Sequence, residues 1–462
     1  MAVAGVEADY VVVGAGAMGM AFTDSLVEHA DVRVALVDRR YGVGGHWLDA
    51  YPFVRLHQSS STYGVASTQL GGNRVQESGP EAGMDERASA AEICAYYARV
   101  LTDRLLASDR VSFYPNCEYV GDGRFVSHVS GQEFQAEGRR RIVNAHYLSP
   151  LIPATSAPPF EVAEGCRVIP VNDLVHVREA PRQYVVAGSG KTATDACLYL
   201  LENGVDPDAI VWVRPRDPWM INRASVQPDP VGFLTTEAEI MEAAEGASSP
   251  DDLFFRMEAA GLMVRIDPAV TPTMAKIATL AHWELAHLRT IERVVRLGRI
   301  VRVEPGRLVL TEGEVPIADD AVVVHCAASG LRYPPLVPIW GPDEITLQPI
   351  RNTYACFGPA LAGYVEAIIE TDAEKNRMCP PVPFSNTTTD WARQQVLGSQ
   401  ASLTSHPDVD TWAKQVSLNP ARIAPELIGA PSVVAAERRF LRHVGPGLAR
   451  MAELADMSPA TR

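Results

Sequence analysis

Tyr10-Val11-Val12-Val13-Gly14-Ala15-Gly16-Ala17-Met18-Gly19 decides the fold. Four apolar strand-forming residues run into a glycine-rich turn, a helix of small residues follows, and Val32-Arg33-Val34-Ala35-Leu36-Val37 then ends on Asp38. That is a complete βαβ pattern. Gly14 serves the tight turn, Gly16 lets backbone come close to a pyrophosphate, and Gly19 lets the helix pack on its strand. Asp38 stands where a carboxylate accepts both ribose hydroxyls.

The pattern recurs further along. Tyr184-Val185-Val186-Ala187 leads into Gly188-Ser189-Gly190-Lys191-Thr192-Ala193, a helix runs to Asn203-Gly204, and Ile210-Val211-Trp212-Val213 ends on Arg214 with Arg216 close behind. Here a guanidinium replaces the carboxylate, and a guanidinium forks onto the 2′-phosphate that separates NADP from NAD. The chain is therefore expected to hold two different dinucleotides. Gly190-Lys191-Thr192 resembles the tail of a P-loop, but the leading glycine of that pattern falls on Val185, so no ATPase is expected.

Composition agrees with a globular enzyme. The 462 residues are 47% apolar, enough for a large core and two or three domains. A net charge of −15 with no basic tract argues against binding nucleic acid or an anionic membrane surface. The amino-terminal residues carry no cationic stretch and no apolar segment is long enough to span a bilayer, which reads as cytoplasmic. Seven scattered cysteines form no CxxC or CxxxxC pair, so neither a metal knuckle nor a redox-active dithiol is expected. No metal site is expected at all. His282 and His287 are five residues apart on an expected helix and fall on different faces.

Short strand-like runs from Val111 to Ala145 suggest a small antiparallel meander, and the prolines at 150, 153, 158 and 159 read as a linker. Apolar residues at helical spacing over 234–261 and 275–297 suggest covering helices, and Ala321–Ala327 reads as a buried strand. The expected fold class is α/β, with two Rossmann-like dinucleotide-binding domains, the second inserted into the first. The expected division is a first part of one domain over 1–155, a linker over 156–181, the inserted domain over 182–320, and the returning first domain with carboxyl-terminal helices over 321–462.

Gly44-Gly45-His46-Trp47, followed by Tyr51-Pro52 and Arg55, resembles the flavin-contacting loop of the class B flavoprotein monooxygenases. The order of motifs is similar over most of the chain, down to Ala328-Ser329-Gly330, which is like that family's Ala-Thr-Gly, and Phe357-Gly358-Pro359, similar to the segment that brings a late helix to the flavin. The resemblance implies FAD at Gly14, Gly16, Gly19 and Asp38, with Gly45, His46, Trp47 and Gly358 bordering the flavin. It implies NADPH at Gly188, Ser189, Gly190, Thr192, Arg214 and Arg216. Two positions depart from the family pattern. Phe160–Pro170, the nearest match to its FxGxxxH fingerprint, has no histidine in the required place, and His57 stands where Baeyer–Villiger members carry an aspartate.

The chemistry so implied is hydride transfer from NADPH to FAD, capture of dioxygen as a flavin C4a-hydroperoxide, and transfer of one oxygen to a small organic molecule. A flavin reductase or oxidase without oxygen transfer shares every cofactor motif and remains the alternative. His57 and Gln58, directly after the flavin loop, are the candidate polar contacts to the reacting centre. Trp212 and Trp219 either stack on an adenine or pack in the core. Neither substrate nor oligomeric state is legible.

Overall fold

The computed structural model describes residues 3–328, 330–403 and 406–457. Its frame is two separate five-stranded parallel sheets. The first runs Glu344–Thr346, Arg141–Asn144, Tyr10–Val13, Val34–Val37, Val111–Tyr114 across the sheet. Tyr10–Val13 and Val34–Val37 are buried throughout, as the unbroken apolar runs of a parallel sheet covered on both faces must be. The helix Ala17–His29 lies on one face beside the late helix Phe357–Ile368. Their approach is close enough that a Cβ on Gly363 would run into the Phe22 carbonyl oxygen.

The chain leaves this sheet after Asn144 and returns to it only at Glu344. In between it builds the second sheet, in the order Arg167–Pro170, Val322–His325, Tyr184–Ala187, Ile210–Val213, Val294–Val295. The inserted architecture expected from the sequence is thus present. Strand pairing carries the second unit beyond 182–320 on both sides, because Arg167–Pro170, within the stretch read as linker, and Val322–His325, read as the returning first domain, both pair in the second sheet.

Each parallel sheet carries a smaller sheet. Cys117–Gly121, Arg124–Ser127 and Glu133–Glu137 form the expected meander with Ala4–Glu7 at its edge. Its neighbours Val111–Tyr114 and Arg141–Asn144, read as part of that meander, belong instead to the central sheet. In the insert, Ile300–Glu304, Arg307–Leu310 and Gly313–Pro316 make a second meander. The stretch 234–261 resolves into helices Pro230–Glu245 and Pro250–Ala259, each started by a proline behind an Asp229 or Ser249 cap. The expected helix over 275–297 is only His282–Leu288, flanked by the short strands Thr279–Leu280 and Val294–Val295. Its apolar residues serve two sheets as well as one helix. The carboxyl-terminal helix Pro431–Leu454 packs along Pro230–Glu245 and closes the far side.

Candidate dinucleotide and substrate site

Both glycine turns sit at the carboxyl ends of their parallel strands, where open α/β sheets bind ligands. At the first, Gly14 has φ +108°, a conformation that L side chains rarely adopt, and its N–H is held by the Val37 carbonyl at 2.8 Å. Gly16 caps the helix, leaving the first helical N–H groups without side-chain partners and free for an anion. A Cβ on Gly19 would strike the Gly14 carbonyl oxygen, so that glycine serves helix packing. Asp38 is buried at the strand end and accepts N–H groups from Ala15 at 2.7 Å and Arg40 at 2.8 Å. Its carboxylate therefore fixes the turn first, and each oxygen keeps a further lone pair for a hydroxyl.

The Gly44-Gly45 loop closes directly over this turn. Gly44 N–H donates to the Ala15 carbonyl at 2.9 Å, and Gly45, at φ +61°, comes so near Gly16 that a Cβ would lie 2.8 Å from the Gly16 Cα. Trp47 donates its indole N–H to the Tyr63 hydroxyl at 2.6 Å, and the His46 ring stacks on Trp47 at 5.3 Å. Burial pushes His46 down to about 4, so the ring is neutral at physiological pH. These observations fit a dinucleotide whose pyrophosphate lies at the helix start, beside the backbone that the Gly16–Gly45 contact holds in place.

Beyond the loop, the chain crosses to the second unit. Tyr51 donates its hydroxyl to Asp195 Oδ2 at 2.7 Å, and Phe53 stacks on Tyr199 at 4.3 Å, both partners lying on the helix Lys191–Glu202 that follows the second turn. His57 then lies between the units. Its carbonyl accepts from Thr279 and Arg223, its Nδ1 is enclosed without a hydrogen-bond partner, and burial beside Lys191, Arg223 and Arg87 drives it down to about 3. Gln58 donates to Thr62 Oγ1 at 3.3 Å.

The second turn repeats the first in part. A Cβ on Gly188 would lie 2.9 Å from the Cys326 carbonyl oxygen, while one on Gly190, which caps the helix, would meet nothing within 4 Å. That open space is what close approach of a pyrophosphate requires. Ser189 is buried in the turn, and Thr192 reaches the Tyr51 hydroxyl. Ala193, completely buried, stands at the third glycine position.

The arginines are placed differently from the sequence expectation. Arg214 is 2% exposed, lies 4.6 Å over the Trp212 ring and pairs with Asp217 at 3.3 Å, while Asp217 also holds Arg296 at 2.8 Å. Arg216 is committed to Thr273 and to the Asn386 side chain and carbonyl. Neither guanidinium is presented as an open fork, so this pair does not fit a 2′-phosphate as arranged. Trp212 donates its indole N–H to the Gly188 carbonyl at 2.8 Å, and Trp219 is buried among Phe254 and Phe255, so both tryptophans pack. Gly358 is also required by packing, since a Cβ there would lie 2.8 Å from the Ile350 backbone nitrogen. Ser329 lies outside the described residues.

Several groups here escaped the sequence reading. Arg223, 1% exposed, joins Glu81 and Glu284, and Glu81 is shared with Arg87 at 2.8 Å. This balanced four-charge group ties the 81–87 loop to the insert, and no spacing in the chain announces it.

Residues 12–64 match the NAD(P)-binding Rossmann-like domain. Uncharacterized protein Rv2000 of Mycobacterium tuberculosis (strain ATCC 25618 / H37Rv) is 42% identical over 465 residues, covering 99% of this chain and 86% of that protein, and Uncharacterized protein Mb2023 of Mycobacterium bovis matches to the same extent. The chain belongs to their family. Among solved structures, an open crystal structure of cyclohexanone monooxygenase is 14% identical with a TM-score of 0.51, covering 88% of this chain and 98% of that one. A cyclohexanone-bound structure in the Rotated conformation gives 13% and 0.50 over the same shares. At this identity the likeness concerns the fold, which this chain shares with cyclohexanone monooxygenase. No helix among the described residues is long and apolar enough to cross a membrane.

Proposed function

We propose that this protein is a flavin-dependent monooxygenase that binds FAD at the first glycine turn and a reduced nicotinamide dinucleotide at the second, and oxygenates a small organic molecule. The observation that carries the reading is the Tyr51–Asp195 contact, which anchors the loop closing the first turn to the helix that opens the second. Two dinucleotide sites built this way are mechanically joined. Under this reading Gly14, Gly16, Gly19 and Asp38 hold the adenosine and pyrophosphate of FAD, and Gly45, His46 and Trp47 border its flavin. Gly188, Ser189, Gly190 and Thr192 hold the nicotinamide dinucleotide.

The bound cofactors would supply hydride transfer and oxygen activation, and the protein supplies enclosure and orientation. His46 and His57 are held neutral, so each offers one donor and one acceptor and no charge to the site. The strand itself ends on an arginine instead of a carboxylate, and the nearby Asp217 is neutralised by Arg214 and Arg296, which keeps NADPH as the proposed donor. The structure's burial of Arg214 makes its preference over NADH modest.

The test is anaerobic mixing of the purified yellow protein with NADPH, followed by labelled dioxygen. Bleaching of the flavin and one labelled oxygen in an organic product are expected. Bleaching followed by peroxide release alone would favour the reductase or oxidase reading, which the absent FxGxxxH histidine also supports. A colourless protein indifferent to NADPH and NADH would overturn both.

A further inference from the structure

Lys191 is the cation that the second glycine turn carries and the first lacks. It is the first residue of the helix Lys191–Glu202, directly after Gly190, and no other lysine or arginine lies on that helix. The corresponding start of the first helix, Ala17-Met18-Gly19-Met20, holds no charge. A pyrophosphate at the first turn therefore meets helix-start N–H groups without a cation among them, whereas at the second it meets a lysine as well. The P-loop likeness of Gly190-Lys191-Thr192 leads to no ATPase, yet it leaves this lysine at a phosphate-binding position.

The ammonium is tethered and keeps spare capacity. Lys191 Nζ pairs with Asp195, one helical turn on, and Asp195 accepts the Tyr51 hydroxyl on its other oxygen at 2.7 Å. An ammonium has three donors and Asp195 occupies one, so two are left for a ligand. The Lys191 side chain is 17% exposed, sheltered enough to strengthen a charge contact and open enough to admit one. Next to it Gly190 leaves room, since a Cβ there would meet nothing within 4 Å. The strand-end and junction arginines are committed. Arg214 lies over Trp212 and pairs with Asp217, Arg216 is held by Thr273 and Asn386, and Arg223 and Arg87 close a group with Glu81 and Glu284.

We propose that Lys191 is a cofactor-binding residue whose ammonium, held in place by Asp195, contacts the pyrophosphate of the nicotinamide dinucleotide and sets its affinity. The inference rests on the reading above, in that the second turn is taken as the nicotinamide dinucleotide site. A lysine binds phosphate as a point charge, so this contact serves every dinucleotide that carries the pyrophosphate and takes no part in telling NADPH from NADH.

The experiment is calorimetric titration of the flavin-loaded, oxidised protein with three probes that carry the pyrophosphate and cause no turnover: NADP⁺, NAD⁺ and ADP-ribose. In Lys191→Met all three are expected to lose affinity by about tenfold or more and by the same factor, while Lys191→Arg stays within about threefold of the wild-type protein. Added salt should weaken binding less steeply in Lys191→Met than in the wild-type protein, because one screened charge contact is gone. Lys191→Met leaves the Asp195 carboxylate without its cation, so the double variant Lys191→Met, Asp195→Asn is measured beside it. It keeps an acceptor for Tyr51, and the same loss is expected. Affinities within about threefold of wild type in these variants would overturn the proposal and leave the proposed function intact. A loss confined to NADP⁺ would also overturn it, by placing Lys191 on the 2′-phosphate. Binding of none of the probes by the wild-type protein would remove both. The expected losses in a protein that NADPH fails to bleach would instead leave this inference standing and remove the monooxygenase reading.

Discussion

The Tyr51 hydroxyl and Asp195 Oδ2 lie 2.7 Å apart, although 144 residues separate them and each belongs to a different dinucleotide unit. Burial and the Asp195 carboxylate raise the Tyr51 hydroxyl well above its ordinary range, so it stays a donor at every accessible pH. Asp195 is held in turn by Lys191, in the second turn itself. The contact thus links the loop over the first glycine turn to the first residue of the helix that follows the second. Tyr51→Phe keeps the ring and removes one buried hydrogen bond, which costs about 1 kcal/mol of stability. Flavin content should persist while the rate of anaerobic bleaching by NADPH falls several-fold, measured by stopped-flow absorbance.

Arg214 and Arg216 should behave differently from each other. Arg214 shares Asp217 with Arg296, lies over the Trp212 ring and keeps its Nε and Nη1 without hydrogen-bond partners, so its removal leaves Asp217 still paired. Arg214→Ala should therefore lower the midpoint of chemical unfolding through lost packing against Trp212, by about 0.5–3 kcal/mol. Arg216 binds Thr273 and Asn386, so Arg216→Ala should alter the ratio of kcat/KM for NADPH to that for NADH by less than about tenfold, which is about 1.4 kcal/mol. A collapse of NADPH preference in this variant would restore the phosphate role that the strand-end position suggested.

That pair marks where sequence reading stops. Gly14, Gly19 and Asp38 were legible because their roles are local: each is dictated by a turn, a helix packed on a strand, or a strand end a fixed distance along the chain. Arg214 stands at the correct strand end, yet which way its side chain turns is decided by Trp212 beneath it and Asp217 beyond it. The same holds for the edges of the insert. Val322–His325 reads as a buried strand, but only pairing with Tyr184–Ala187 reveals which sheet buries it. The 81–87 loop, Arg223 and Glu284 lie far apart in the chain, and Glu237 looks like any helix-surface glutamate.

Gly45 offers a sharper test of the first site. At φ +61° and in contact with Gly16, it has room for no side chain, since a Cβ would lie 2.8 Å from the Gly16 Cα. Gly45→Ala should push the loop away from the turn and open the surface on which a pyrophosphate would lie. The expected outcome is a folded protein that loses flavin on gel filtration, checked by its absorbance near the visible flavin band. Retention of full flavin content would place the cofactor elsewhere.

His57 and His46 should make the protein sensitive to acid. Their folded-state values, about 3 and about 4, lie below the ordinary histidine range because burial disfavours the charged ring. The unfolded chain takes up these protons first as pH falls, so stability is fully present above pH 6.5 and declines from there toward pH 4. Each ring contributes up to a few kcal/mol to that decline. His57→Gln should flatten the loss between pH 6.5 and 4, read from urea midpoints across that interval.

Glu237 carries the opposite sign. Its folded-state value is about 7, above that of a carboxyl in an unfolded chain, so the unfolded state ionises first as pH rises and the native state loses stability between about pH 4.5 and 7. The full difference corresponds to about 3 kcal/mol, less to the extent that the carboxylate still sees water. Glu237→Gln has no such titration. Its stability relative to the wild-type protein should therefore grow as pH rises from 5 to 8 and level off beyond, measured by chemical denaturation at each pH.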